Sequence, residues 1–212
     1  MTQPPLSSNH LDEVREYFAK TLENFGATAR GVDWNSDDAR RIRFDQLAKI
    51  IDPSQPFTLL DYGSGYGAFA GYMLDVNLPF TRYIGYDIVQ SMIEQGQRDY
   101  PDPDRFLFTD QLSEVPTADY AVACGVFNMK LRAAYEEWTP FVLDCLKVMN
   151  ERSRRGFSVN FLTKYSDPEK MRPDLYYADP CYLFDYCKTH FSRNVALLHD
   201  YTVYDFTLLV RK

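Results

Sequence analysis

The spacing of apolar residues predicts two helices before any strand. Between residues 11 and 25, apolar side chains recur every three or four positions, which is the stripe of an amphipathic helix. Gly26 is placed to end this helix. Ser36 is the expected N-cap of a second helix that ends at Asp52-Pro53. These helices form an extension ahead of the first strand.

A strand, a glycine-rich loop and a third helix follow this extension. Phe57, Leu59 and Leu60 predict a short buried strand, and the loop has the sequence Asp-Tyr-Gly-Ser-Gly-Tyr-Gly over 61–67. Helical spacing resumes at Phe69, which completes the first βα unit of a doubly wound α/β sheet. Glycine lacks a Cβ, so the loop backbone can approach a ligand that also meets the first N–H groups of the helix.

The rest of the chain continues the alternation of strands and helices. Strands, the third with its exit loop, are predicted at 83–87, 105–109, 118–128, 156–162, 194–199 and 206–211. The last two are joined by a short turn and are therefore expected to pair antiparallel. A polar insertion over 163–179 follows a strand and should overhang the ligand face as a lid, with a mobile surface loop as the alternative.

Composition restricts the classes of function. The chain has 212 residues, enough for one domain with a substantial core, and a net charge of −7 from 23 basic and 30 acidic residues. This balance argues against a nucleic-acid surface, and the one dense basic cluster, 152–155, is interpreted as a solvated loop. Scattered cysteines without a C-x-x-C pair offer no zinc template and fit a reducing compartment. No apolar run is long enough for a membrane span and 1–8 lacks a signal core, so the expected location is the cytoplasm.

Two carboxylates bracket the glycine loop, and their positions leave two ligand classes open. Gly63, Gly65 and Ala68 fit a dinucleotide fingerprint, and Asp87 lies 24 residues after Gly63, where a carboxylate can accept from two ribose hydroxyls. However, Asp61 directly precedes the glycines and would repel a pyrophosphate. A third interpretation is a tight glycine turn without a ligand.

The pattern Asp61-x-Gly63-x-Gly65-x-Gly67 resembles motif I of the class I S-adenosylmethionine-dependent methyltransferases. Gly-Tyr-Asp-Ile over 85–88 resembles motif II of the same family, and the resemblance spans 57–212. It implies a cofactor, S-adenosyl-L-methionine, whose sulfonium and ammonium suit a carboxylate. It also implies a Rossmann-like seven-stranded sheet of order 3-2-1-4-5-7-6 with an antiparallel strand 7. Residues 1–52 are then a helical extension covering cofactor and acceptor, and 53–212 the methyltransferase core domain.

The resemblance further implies residue roles. Cofactor-binding positions are expected at Asp61, Gly63, Ser64, Gly65, Gly67, Asp87, Ile88, Asp110, Gln111, Cys124, Trp34 and Arg43. Acceptor-binding positions are expected at Tyr165, Tyr176, Tyr177 and Tyr201, and catalytic roles at His199 and Asn128. Structural roles are the alternatives for Trp34 (hinge packing), Arg43 (a surface ion pair), Asp87 (a helix cap), Asp110 (a turn) and Cys124 (a small buried residue). His199 has the alternative of a histidine satisfied by its neighbours.

The implied reaction is an in-line displacement in which an acceptor atom attacks the sulfonium methyl. Because the cofactor is already activated, the protein mainly positions the reactants and excludes water, and a base is needed only if the acceptor must lose a proton. The acidic chain favours a small-molecule or glycoside acceptor over nucleic acid, and no membrane partner is expected. Two other functions stay open, a nicotinamide oxidoreductase and a non-catalytic S-adenosylmethionine-binding protein.

Overall fold

The computed structural model describes residues 8–32 and 36–212. The first half of the chain contains α1 (Ser8–Phe25), α2 (Asp37–Ala48), β1 (Phe57–Tyr62), α3 (Ala68–Asp75), β2 (Phe80–Tyr86), α4 (Gln90–Asp99) and β3 (Phe106–Thr109). The second half contains β4 (Ala118–Ala123), α5 (Tyr135–Glu151), β5 (Ser153–Thr163), β6 (Tyr177–Ala178), α6 (Pro180–His190), β7 (Asn194–Leu198) and β8 (Asp205–Arg211). Short 3-10 turns lie at Arg30–Val32, Leu112–Glu114 and Pro168–Lys170.

The strands form one sheet of order β3-β2-β1-β4-β5-β8-β7. β8 pairs antiparallel with both β5 and β7, whereas the β1, β2, β3, β4 and β5 pairings are parallel. The predicted Rossmann-like order is confirmed, because its strands 6 and 7 are β7 and β8. The added element is the two-residue β6, which pairs parallel with the end of β5. The switch in strand order therefore lies between β1 and β4, where doubly wound sheets bind their ligands.

Helices cover both faces of the sheet. On one face, Leu47 of α2, Met73 of α3 and Ile93 of α4 belong to one buried cluster with alternate strand residues. On the other face, Leu146 of α5 and Leu183 of α6 belong to a second cluster. This alternation is the period-two pattern of strands buried on both sides.

Both helices of the N-terminal extension pack against the core. Ser36 caps α2 by accepting the Ala39 N–H at 3.1 Å, as predicted. α1 lies near α4, where Phe18 packs with Met92, and the Arg15 Nε donates to the carbonyl of Ile88 at 3.3 Å. The extension therefore adjoins the Asp87 end of β2, and the domain boundary at residue 52 stays a prediction.

The basic cluster 152–155 was wrongly interpreted as a loop. β5 begins at Ser153, so Arg154 and Arg155 are strand residues. The Arg155 guanidinium lies 4.8 Å from the Tyr120 ring centroid and 3.4 Å from an Asp52 carboxylate oxygen. Stacking on Tyr120 and pairing with Asp52 explain how a strongly charged sequence begins a strand that lies between β4 and β8.

The described residues contain no disulfide bond, no metal-binding cluster and no membrane-spanning helix. All four cysteines are free thiols. Within the described part of the chain, His, Cys, Asp and Glu side chains form no cluster of three or more that could hold a metal ion. Across the same residues, no helix combines the length and apolar character needed to cross a membrane.

Candidate active site at the carboxyl ends of β1, β2 and β4

The glycine loop after β1 owes two of its three glycines to packing. Gly63 has φ 79° and Gly67 has φ 89°, a region that L side chains rarely adopt. A Cβ at Gly63 would lie 2.3 Å from a Val126 methyl, and one at Gly67 would lie 2.8 Å from the Phe108 ring. A Cβ at Gly65 would meet nothing closer than Val32, at 3.3 Å. Gly65 also has a positive φ, 53°, so its backbone conformation favours glycine, but packing does not exclude a side chain there.

Asp61 is a buried carboxylate at the end of β1. It is 2% exposed, and its Oδ2 accepts the Tyr83 hydroxyl at 2.6 Å. Burial raises the pKa of Asp61 to about 7; the Tyr83 hydrogen bond opposes that rise, and the charge of Asp87 adds to it. The site therefore contains a carboxylate whose ionisation a nearby cation would strongly favour.

Asp87 links the end of β2 to the glycine loop. One carboxylate oxygen accepts the Gly65 N–H at 2.7 Å and the other accepts the Val89 N–H at 2.9 Å. Burial raises the pKa of Asp87 above its usual value, and the hydrogen bonds from Val89 and Gly65 oppose the rise. Each carboxylate oxygen has two lone pairs, so Asp87 can still accept from a ligand while it holds the backbone N–H groups of Gly65 and Val89. The N-cap residue of α4 is Val89, so the helix-cap alternative for Asp87 is wrong, and its binding role stays a prediction.

A first cavity opens above these carboxylates. Predicted cofactor residues in its wall are Asp61, Gly63, Ser64, Gly65, Asp87, Ile88 and Cys124. Helix α1 contributes Leu11, Val14, Arg15 and Phe18, so the extension forms part of the wall. The wall also includes apolar Met92, Leu112, Val126 and Phe141. The cavity combines two buried carboxylates with a broad apolar surface.

The remaining predicted cofactor residues lie elsewhere. Asp110 and Gln111 are exposed and hydrogen-bond each other at 2.9 Å, and the wall does not include them. Gly67 is buried beneath the loop against Phe108. Trp34 lies outside the described residues. The binding roles of these residues stay predictions.

Arg43 belongs to a buried polar chain. Its Nε and Nη2 donate to the two carboxylate oxygens of Asp205 at 2.5 and 2.9 Å. The Asn160 amide also donates to Asp205 at 2.7 Å, and its oxygen accepts the Gly125 N–H at 2.8 Å. Arg43 thus forms an ion pair, as the alternative to cofactor binding predicted. The pair is buried, however, and not on the surface. This network of side-chain hydrogen bonds connects α2 through β8 and β5 to the loop that leaves β4.

A second cavity of about 440 Å³ adjoins the first, and Phe18, Val32 and Gly125 line both. Of the predicted acceptor and catalytic residues, Tyr177 and Asn128 line it, and the Asn128 Oδ1 accepts the Leu162 N–H at 3.1 Å. The insertion over 163–179 supplies part of the wall through Ser166, Lys170, Arg172, Leu175 and Tyr177. The turn between β7 and β8 supplies Thr202, Val203 and Tyr204. The insertion over 163–179 and the turn between β7 and β8 thus meet around one cavity.

Four predicted residues lie apart from both cavity walls. Tyr176 is 1% exposed, and its hydroxyl lies 3.0 Å from the Thr139 Oγ1. The Tyr201 hydroxyl lies 2.7 Å from the Thr207 Oγ1. His199 and Tyr165 are exposed, with ring centroids 6.0 Å apart. Their catalytic and binding roles stay predictions that neither cavity supports.

The structure adds two basic residues to the first cavity that sequence reasoning missed, Arg15 of α1 and Arg40 of α2. Arg40 lines this cavity, whereas Arg43 lines only the second. The Arg40 guanidinium donates to the Tyr66 hydroxyl at 2.6 Å and lies 2.7 Å from an Asp37 oxygen. Arg40 precedes Arg43 by three residues, so both belong to neighbouring turns. The sequence signal was an arginine in α2, but the sequence did not show whether Arg40 or Arg43 lines the first cavity.

Comparisons with known proteins identify the family. A protein of Mycobacterium tuberculosis (strain ATCC 25618 / H37Rv), "Putative methyltransferase Rv1506c", is 45% identical over 164 residues, which is 77% of this chain and 98% of that protein. No protein-family model matches the chain. The chain belongs to the class I, Rossmann-like S-adenosylmethionine-dependent methyltransferases.

Solved structures share the fold at low sequence identity. The DhpI–SAH complex has a TM-score of 0.64 at 13% identity, covering 97% of this chain and 98% of that one. A Leishmania major SAM-dependent methyltransferase has a TM-score of 0.60 at 15% identity, covering 92% and 83%. Human N-acetylserotonin methyltransferase in complex with SAM has a TM-score of 0.56 at 14% identity, covering 97% and 67%. These likenesses concern the fold.

Proposed function

We propose that the chain transfers a methyl group from S-adenosylmethionine in the first cavity to a small molecule in the second. The observation that supports this arrangement most directly is the contact between the two cavities, which share Phe18, Val32 and Gly125. Bound S-adenosylmethionine supplies an electrophilic methyl group that an acceptor nucleophile displaces from the sulfonium. A shared wall is where such a transfer has to occur.

The groups in the first cavity fit this cofactor. Asp61 is a buried carboxylate suited to the ammonium of the amino-acid part, and Asp87 is suited to ribose hydroxyls. Arg40 is suited to the carboxylate, a role expected of Arg43 before the structure placed Arg43 in a buried ion pair. Ile88 and its apolar neighbours offer a surface to the adenine ring. The charges in the wall therefore match a cofactor that carries both signs.

The loop residues position the reactants. Gly125 lies at the junction of the cavities, and the hydrogen bond from its N–H to Asn160 fixes that backbone. The side-chain oxygen of Asn128 is occupied by Leu162, which fixes its amide orientation toward the acceptor cavity. Phe18 of α1 covers the junction and helps to exclude water. These contacts supply positioning, which is the main requirement for a displacement on an activated methyl group.

A small-molecule or glycoside acceptor is supported by cavity size and by charge. A volume of about 440 Å³ suits a small ligand, for which pockets typically measure about 300 to 1,000 Å³. The net charge of −7 opposes the phosphate contacts that dominate nucleic-acid affinity. The alternative of a nicotinamide oxidoreductase lacks support, because the buried Asp61 would face a pyrophosphate.

The test is transfer of a radiolabelled methyl group from S-adenosylmethionine to fractionated metabolites and, separately, to total RNA. We expect label in the small-molecule fraction. Asp87→Asn should abolish that labelling, and Glu94→Gln, an exposed change on α4, should leave it intact. Label only in RNA would contradict the proposed acceptor class. A protein that binds S-adenosylhomocysteine but transfers no label would favour the non-catalytic binding alternative.

A further inference from the structure

The wall of the second cavity has an uneven charge distribution. Its described residues include three basic side chains, Arg43, Lys170 and Arg172, and they include no aspartate or glutamate. The carboxylates that pair with these cations, Asp205, Asp167 and Asp174, are outside the wall. A ligand in this cavity therefore meets N–H donors rather than carboxylates.

The three cations differ in how firmly the protein holds them. Arg43 is 8% exposed and donates to both oxygens of a fully buried carboxylate, so it has a structural role. The side chains of Lys170 and Arg172 are 58% and 51% exposed, and the carboxylates they contact are also partly exposed. Exposed ion pairs contribute little, so their cations can accept an additional anionic partner at small cost. Lys170 and Arg172 are thus the cations suited to a ligand.

Hydroxyl groups lie beside these cations. The Lys170 ammonium, which has three donors, lies 2.7 Å from the Tyr204 hydroxyl and 3.2 Å from Asp167. The Tyr177 hydroxyl accepts the backbone N–H of Arg172 at 3.0 Å, which leaves its own proton for another acceptor. Lys170, Arg172 and Tyr177, which all belong to the insertion over 163–179, thus supply cationic and hydroxyl donors to one side of the cavity.

The rest of the wall is largely apolar. It contains Phe18, Val32, Met129, Leu162, Leu175 and Val203. Such a wall favours an apolar body, whereas the donors favour an acidic group, so the cavity is suited to a ligand that has both. A sugar without a charged group would leave the cations without a ligand partner.

We propose that the methyl acceptor is an acidic small molecule with an apolar body, and that Lys170 and Arg172 bind its carboxylate or phosphate group. This assignment rests on the proposed function of the second cavity as the acceptor site. It makes the insertion over 163–179 the segment that determines acceptor specificity. It also explains how an acidic chain binds an acidic ligand, because the donors are concentrated within one cavity.

The test uses matched probes in the presence of saturating S-adenosylhomocysteine. 4-Phenylbutyrate is compared with 4-phenylbutyramide, and phenyl phosphate with phenol, with dissociation constants measured by protein-observed NMR. We expect each acid to bind at least tenfold more tightly than its neutral counterpart, with shifts at Gly125 and Tyr177. The double variant Lys170→Gln/Arg172→Gln should lose that preference at least tenfold. Lys188→Gln, an exposed change on α6, should retain it.

The outcomes separate this proposal from the proposed function. S-adenosylhomocysteine affinity and melting temperature are measured for every variant, and both should be unchanged. Equal binding of acid and neutral probe, an acid preference that survives the double variant, or no binding of either acid would overturn the acidic acceptor. Binding of the neutral probes alone would leave the acceptor cavity in place. Failure of the wild-type protein to bind S-adenosylhomocysteine would instead contradict the proposed function itself.

Discussion

Arg43 and Asp205, which are 162 residues apart in the chain, form a bidentate ion pair beneath the loop that leaves β4. Asp205 is fully buried and also accepts the amide of Asn160, whose oxygen holds the Gly125 N–H. The N-terminal extension is therefore coupled to the wall between the two cavities. The pair makes the extension a structural part of the site rather than an independent cover.

Removing one partner of this pair should strongly destabilise the fold. Arg43→Met leaves Asp205 as a buried, unpaired carboxylate, which typically costs about 3 to 5 kcal/mol. Arg41→Met is the matched control, because Arg41 is exposed on the same helix. Its guanidinium lies over the Tyr72 ring, 5.6 Å from the ring centroid. Urea unfolding measures both, and equal losses would contradict the structural role of Arg43.

The Asp61 carboxyl should make stability depend on pH. Its pKa is about 7 in the folded protein against 3.8 as a free side chain, so between these values the folded state holds one proton more than the unfolded chain. The free energy of unfolding should therefore fall as pH rises from about 4 to 7 and level off above about 7. The ionisable groups that face the Asp61 carboxyl are Tyr83, Asp87 and Cys124.

The substitution Asp61→Asn isolates this component. The variant cannot ionise, so it should match the wild type near pH 4 and become more stable than it by roughly a few kcal/mol at pH 8. Unfolding in urea across this range measures the difference. Asp52→Asn is the control, because hydrogen bonds to Ser54 lower the pKa of Asp52 and produce no gain above pH 5. A constant difference between wild type and Asp61→Asn would refute the raised pKa.

Gly67 should be less tolerant of a side chain than a glycine with open surroundings. Gly67→Ala combines a φ of 89° with contacts to Phe108 and Tyr100 below 3.0 Å. Gly26 also has positive φ, at 65°, but a Cβ there would meet nothing within 4 Å. We expect Gly26→Ala to cost about 1 kcal/mol and Gly67→Ala about 1 to 3 kcal/mol more, from overpacking. Equal costs in thermal unfolding would exclude the packing explanation.

Many of the residues that line the first cavity could be named from the sequence because their signals are local. The strand, the loop over 61–67 and Asp87 follow from short stretches whose chemistry and spacing are legible in the sequence. The alternation of strands and helices predicted a doubly wound sheet, and the family resemblance implied its strand order. The extra strand β6 was missed because two residues carry no periodicity.

The residues around the second cavity could not be predicted to the same depth, because long-range packing brings them together. Tyr176 and Tyr177 are adjacent, yet one is buried against Thr139 and the other lines the second cavity. Arg40 and Arg43 could not be ranked, since a buried arginine on α2 is explained only by Asp205, far along the chain. His199 follows the last residue of β7 and is exposed, which the sequence did not indicate.

Arg40 should discriminate between nucleosides with and without the amino-acid part. Arg40→Gln is expected to weaken S-adenosylhomocysteine binding at least tenfold, because a charged hydrogen bond contributes about 1.5 to 3 kcal/mol. Binding of 5′-methylthioadenosine, which has no carboxylate, should be unchanged. Arg41→Gln serves as the exposed control on the same helix. An equal loss for both nucleosides would show that Arg40 acts through the structure of the loop.

The central claim is that Asp61 and Asp87 hold one cationic nucleoside in the first cavity. Calorimetric titration of S-adenosylhomocysteine into wild type, Asp61→Asn, Asp87→Asn and the control Glu94→Gln measures it most directly. We expect a loss of about 10- to 100-fold for each site variant, and wild-type affinity for the control. Unchanged S-adenosylhomocysteine affinity in both site variants, together with stabilisation of the wild type by NAD, would contradict the account.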